Sequence, residues 1–87
     1  MGKSLLSILN TEAQLIEKID DALNAADLFQ RRYDKIRSIP IDCEAKEADL
    51  AQYAGIISEY RNEAEEYKRQ LDAVREDLMA YLAILFS

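Results

Sequence analysis

"SIPID", residues 38–42, is the only stretch of the chain that collects helix-stopping residue types. Pro40 lacks a backbone N–H and disfavours helical geometry at Ile39 before it. Asp42, two residues on, is a good N-cap for a following helix. On both sides of this break the chain is poor in glycine, proline and serine and rich in Ala, Glu, Leu, Asp and Ile. That composition favours helix and opposes disorder. The sequence therefore predicts a first helix over about 3–38, a turn at 39–42 and a second helix over about 43–86, in a single domain 1–87.

The charges agree with this break. Arg31, Arg32, Lys35 and Arg37 crowd the end of the first helix, and Asp42, Glu44, Glu47 and Asp49 the start of the second. Cations at a helix C-terminus and anions at an N-terminus both suit the helix dipole. The basic cluster is also readable as a docking patch.

Steps of three and four residues then define a seam. In the first helix they select Leu5, Ile8, Glu12, Leu15, Ile19, Ala22, Ala26, Phe29, Tyr33 and Ile36. In the second they select Leu50, Tyr53, Ile57, Tyr60, Ala64, Tyr67, Leu71, Val74, Leu78, Tyr81 and Leu85. A row sustained for about five heptads per helix predicts coiled-coil-like packing. A short turn between two such helices makes them antiparallel neighbours. The expected fold is all-α: a two-helix hairpin that self-associates into a four-helix bundle.

If the turn centres near Pro40 and Ile41, facing residue numbers sum to roughly 82. Ala22 then meets Tyr60, Ala26 meets Ile57, Leu15 meets Tyr67 and Ile19 meets Ala64, so large residues face small ones. Tyr53, Tyr60 and Tyr67 accordingly belong mainly to the inside. Glu12 breaks the row near Leu71, with Lys68 and Arg75 a turn away on either side. It reads either as an edge carboxylate reaching one of those cations or as a polar residue that fixes register.

Two features exceed what a lone hairpin needs. Leu9, Ile16 and Leu23 form a second stripe on helix 1, flanked by Leu6 and Leu28. Helix 2 is the longer helix, and its last stretch, Leu78 to Phe86, carries no charge. A single partner helix cannot cover apolar residues all round. Tyr81 keeps the seven-residue beat of the other tyrosines but lies where helix 1 runs out, so its expected partner is another chain. The candidate interface is Leu5, Leu6, Leu9, Ile16, Leu23, Met79, Tyr81, Leu82, Ile84, Leu85 and Phe86.

No chemistry stands out. The chain has no histidine, which removes the usual general base and zinc ligand. Glu63, Glu65 and Glu66 sit among Arg61, Lys68 and Arg69 at spacings typical of a solvated helix face. Gly2-Lys3-Ser4 lacks the context of a phosphate-binding loop. Cys43 lies at a helix N-terminus without a resolving thiol or base. It is expected as a small buried filler under the turn with Ile39 and Ile41. Gly55, on the outer face, either weakens the helix locally or admits a close-approaching partner. No enzyme activity, cofactor or metal is expected.

The net charge of −6 and the lack of a basic patch argue against direct nucleic-acid binding. A single cysteine and an opening MGKSLLSILN that fits neither a secretory signal nor a myristoylation motif suggest a cytoplasmic protein. The uncharged C-terminal stretch spans only about 14 Å of helix, well short of a bilayer's hydrocarbon core. Glu76 and Asp77 precede it, and anionic lipid repels that pair. Membrane attachment is therefore not expected.

What is expected is a protein-binding module that forms a homodimer or higher oligomer or binds a heterologous protein. Assembly factors, adaptors, chaperone-like proteins and small phage- or plasmid-type regulators all fit that description. An alternative rests on helix 2 and its N-cap, which carry eleven acidic residues against five cations. Such a rod could occupy the nucleic-acid channel of a DNA- or RNA-handling protein, although its cations are interleaved with its acids.

Overall fold

A computed structural model of the chain describes residues 4–86. It contains two helices, α1 (Leu5–Arg37) and α2 (Glu44–Leu85), and no strand among the described residues. The expected first helical residue, Lys3, lies outside the described residues. The helices pack against each other along their lengths into a rod of 66 × 17 × 14 Å. The long dimension follows from 1.5 Å of rise for each residue of α2.

Local signals set the ends of α1. Ser4 is its N-cap, with Oγ accepting the Ser7 N–H at 3.1 Å. Such a bond satisfies one of the donors a helix start leaves open. At the other end the Ser38 N–H donates to Asp34 O at 3.0 Å and the Ile39 N–H to Ile36 O at 3.1 Å. The last bond spans three residues and tightens the helix just before Pro40 ends it. Lys35 and Arg37 occupy the last turn, and Glu44 and Glu47 the first turn of α2.

The connection differs from the expected four-residue turn. Residues 38–43 join the helices without any positive φ among the described residues. Cys43, not Asp42, is the N-cap of α2, with extended backbone and no side-chain cap bond. Asp42 instead accepts from Lys46 Nζ at 3.3 Å, while the same ammonium donates to Ile39 O at 2.6 Å. The linker is thereby tied back onto the first turns of α2. This route leaves Cys43 exposed, with Ile39 and Ile41 also largely in solvent. The expectation of a buried cysteine under the turn is therefore wrong.

The register shifts for the same reason. Between the helices Glu12 pairs with Arg75, Lys18 with Tyr67 and Gln30 with Arg61. Each of these sums exceeds 82, so α2 lies about one turn beyond the register expected for a tight turn. Its first turns extend past the end of α1, and the linker folds back over them.

The core is a single file of apolar side chains. Ile8, Leu15, Ile19, Ala22 and Ala26 of α1 are buried against Ile57, Ala64, Leu71 and Val74 of α2. Every one of them belongs to the heptad rows. Ala64 is the most covered, at 1% exposure. Small residues there and at 22 and 26 let the helices approach, while larger ones interdigitate on either side. Phe29 fills the half of the hairpin nearer the linker, with its ring centroid 5.8 Å from both Tyr53 and Tyr60. No large side chain among the described residues is fully buried.

Gly55 faces open space, because a Cβ built there meets nothing within 4 Å. It thus costs helix stability without a compensating contact within the chain. Gly55→Ala is expected to stabilise the hairpin by about 0.5–1 kcal/mol. Thermal unfolding followed by circular dichroism should show the midpoint rising by roughly 2–8 °C.

Candidate interaction surface

The two long sides of the hairpin differ in chemistry. On one side the seam's aromatic edge is closed by the chain's own charged groups. Lys18 Nζ lies 5.5 Å from the centre of the Tyr67 ring, and Arg32 Cζ lies 5.3 Å from that of Phe29. The Tyr67 hydroxyl donates to Glu63 Oε1 at 3.3 Å. Lys18, Ala22, Tyr60, Glu63 and Tyr67 line one shallow hollow here. The tyrosines are half-buried: their rings contribute to the seam and their hydroxyl ends reach its polar margin.

The other side carries the second stripe. Leu9, Ile16 and Leu23 are 41%, 39% and 40% exposed, and Leu6 is 69% exposed. Ile16 lines a hollow of about 390 Å³ with Ile19, Asp20, Lys68, Leu71, Asp72 and Arg75. At its margin Glu12 Oε2 accepts from Arg75 Nε at 3.2 Å. The Glu12 side chain is 23% exposed and that of Arg75 53%. Glu12 is thus an edge carboxylate held by one of the two flanking cations, while Lys68 turns to Glu65 at 3.5 Å.

Helical spacing extends this side to the open end. Arg75, Met79, Leu82 and Phe86 follow in steps of four, three and four, which share one face of a helix. Ile16, Glu12, Leu9 and Leu5 do the same in the opposite direction on α1. The Glu12–Arg75 pair joins the two rows, so the aliphatic stripe continues onto Met79, Leu82 and Phe86. Met79 is 69% and Phe86 84% exposed, while Leu5 and Leu82 are half-buried.

Three of the eleven expected interface residues lie off this side. Tyr81 packs with Leu78 and Tyr67 against the hairpin's own cluster of Ile8, Leu15, Ile19, Leu71 and Val74. Its contact is therefore within the chain, where another chain was expected. Leu85 continues the seam row beyond the end of α1 and is 55% exposed. Ile84 is 76% exposed on the back of α2. Leu28, at 48%, falls around the helix from Leu23 and does not extend the stripe.

Sequence reasoning did not assign Lys68, Asp72 and Arg75 to this surface. The signal was present, since Arg61, Lys68 and Arg75 recur every seven residues and Asp72 lies one heptad before Met79. Elsewhere on α2, Arg69 pairs with Glu66 at 3.6 Å. Among the described residues no group of three or more His, Cys, Asp or Glu is placed to hold a metal ion. Among them, too, no helix is long and apolar enough to cross a membrane. No protein-family model, curated protein or solved structure matches this chain.

The Tyr67 phenol is harder to ionise than an ordinary tyrosine. Partial burial, the negative charge of Glu63 and the hydrogen bond to its carboxylate all raise the phenol above its ordinary value of 10.0. Folding therefore favours the protonated phenol. The stability it contributes is present below the ordinary value and is lost as pH rises through the raised one. Glu63→Gln removes the charge, so Tyr67 followed in an alkaline absorbance titration should ionise at lower pH than in the unsubstituted chain. An unchanged titration would show that Glu63 does not act on Tyr67.

Proposed function

We propose that this chain is a non-enzymatic, cytoplasmic protein–protein interaction module, a helical hairpin that associates through its aliphatic side into a four-helix bundle. The observation that carries the reading is the row of exposed apolar side chains Leu23, Ile16, Leu9, Met79 and Phe86 along one side of the hairpin, crossed by the Glu12–Arg75 pair. Contiguous apolar surface on a small chain marks an interaction site. It also answers the problem of a core with no fully buried large side chain, because a second layer of helices would cover the seam from the open side.

The surroundings support binding over chemistry. The side chains beside the stripe are ion pairs and solvated carboxylates, with no histidine in the chain to act as base. The acidic-mimic alternative gains no comparable support, since Lys68 and Arg69 hold carboxylates of α2 itself and Arg75 holds Glu12 of α1. The reading suits an assembly factor, adaptor or small regulator, whose output is the complex it forms.

Size-exclusion chromatography with light scattering tests it. The chain is expected at twice its 10.0 kDa mass or more. Ile16→Asp combined with Met79→Asp should weaken association by at least about 100-fold, a cost of roughly 2.7 kcal/mol. Far-UV circular dichroism should show the helices retained at high concentration. A chain that stays monomeric at every concentration and folds fully would refute the proposal.

A further inference from the structure

We infer that the aliphatic side is covered by a second copy of this chain, laid antiparallel, with the two-fold axis passing beside Ile16. The inference rests on the interaction-module reading and specifies its partner and geometry. Leu9 of each copy then meets the partner's Leu23, and Ile16 meets the partner's Ile16.

Spacing is the first support. Leu9 and Leu23 lie seven residues to either side of Ile16, and the three are nearly equally exposed. The stripe reads the same in both directions, which suits an isologous contact in which each residue's partner is returned by symmetry. A parallel pair would also satisfy the spacing, so charge must choose between them.

Asp20 and Asp27 flank the stripe on α1. A parallel pair would set each aspartate beside its own copy across the interface, and apposed like charges oppose association. Antiparallel packing about Ile16 moves both. Asp20 then meets a carboxylate again, the partner's Glu12, but one already held by the partner's Arg75, which is half-exposed and able to bridge the two. Asp27 comes opposite the partner's Leu5, in the first turn of α1. That turn contains no acidic residue, so its positive end lacks a carboxylate of its own.

The open end fits the same arrangement. Met79 lies level with Leu9, one turn from the Glu12–Arg75 pair, so it arrives beside the partner's Leu23. The elongated shape leaves surface for a second copy. The chain exposes 6636 Å², whereas a compact monomer of its mass exposes about 5,200 Å². The surplus exceeds the roughly 800 Å² that each partner contributes to a standard interface.

Disulfide trapping tests the geometry. Leu9→Cys and Leu23→Cys are made separately in the full chain carrying Cys43→Ser, one of them with an affinity tag so that products differ in mass. The variants are mixed at equal concentration, allowed to exchange and mildly oxidised. Heterotypic Leu9→Cys to Leu23→Cys dimers should exceed homotypic ones by about tenfold, against the equal amounts that random pairing gives.

The unsubstituted chain supplies an independent arm. Antiparallel packing puts the two linkers at opposite ends of the assembly, so exposed Cys43 should form no disulfide within the dimer at low concentration. Predominantly homotypic links, or a rapid Cys43–Cys43 link, would overturn the geometry and leave the interaction reading standing. A dimer without links places the interface elsewhere and also overturns the inference. A monomer by light scattering overturns both readings.

Discussion

Two cylinders touch along one line, and this constraint governs the whole molecule. Each helix of the hairpin has only one neighbour, so the core is a file of side chains with no second layer of helices on either long side. Ile8, Leu15, Ile19, Leu71 and Val74 are covered by each other and by half-buried neighbours, without a second layer above them. Alanines at 22, 26 and 64 allow close approach and limit how much apolar surface the seam removes from water. A chain of this size therefore leaves a large fraction of its apolar surface exposed.

The two open sides respond to that constraint differently. On the aromatic side Phe29 stacks on Tyr60 and lies tilted against Tyr53, and Lys18, Arg32 and Glu63 occupy the margin. Tyrosine is suited to this place, since one end of its ring is apolar and the other is content in water. On the aliphatic side leucine and isoleucine have no polar end to offer. Glu12 and Arg75 interrupt that side without covering it. A pair with one partner half-exposed contributes little to stability.

Most of the fold was legible in the sequence because period and breaks are local signals. The heptad rows name every buried residue among those described, and the end at Ser38 inferred from Pro40 is one residue past the last residue of α1, Arg37. The register was not legible in the same way. It depends on the path of residues 38–43, which carry no period and are held by Lys46 through a backbone carbonyl. That path moved the N-cap from Asp42 to Cys43, exposed the thiol and displaced α2 by about a turn. The aliphatic stripe was legible as a surplus over one seam. Its continuation onto Met79, Leu82 and Phe86 required the Glu12–Arg75 contact, which shows how the two helix faces join. The shifted register also keeps α1 beside Tyr81, which packs against the hairpin's own cluster.

The central claim is that a single hairpin leaves its core unfinished and that association completes it. The most direct test is the midpoint of thermal unfolding, followed by circular dichroism over about a hundredfold range of chain concentration. Association linked to folding makes the midpoint rise with concentration, by roughly 3–5 °C for each tenfold step. A midpoint that stays constant across that range would show that one hairpin is stable by itself and would contradict the account.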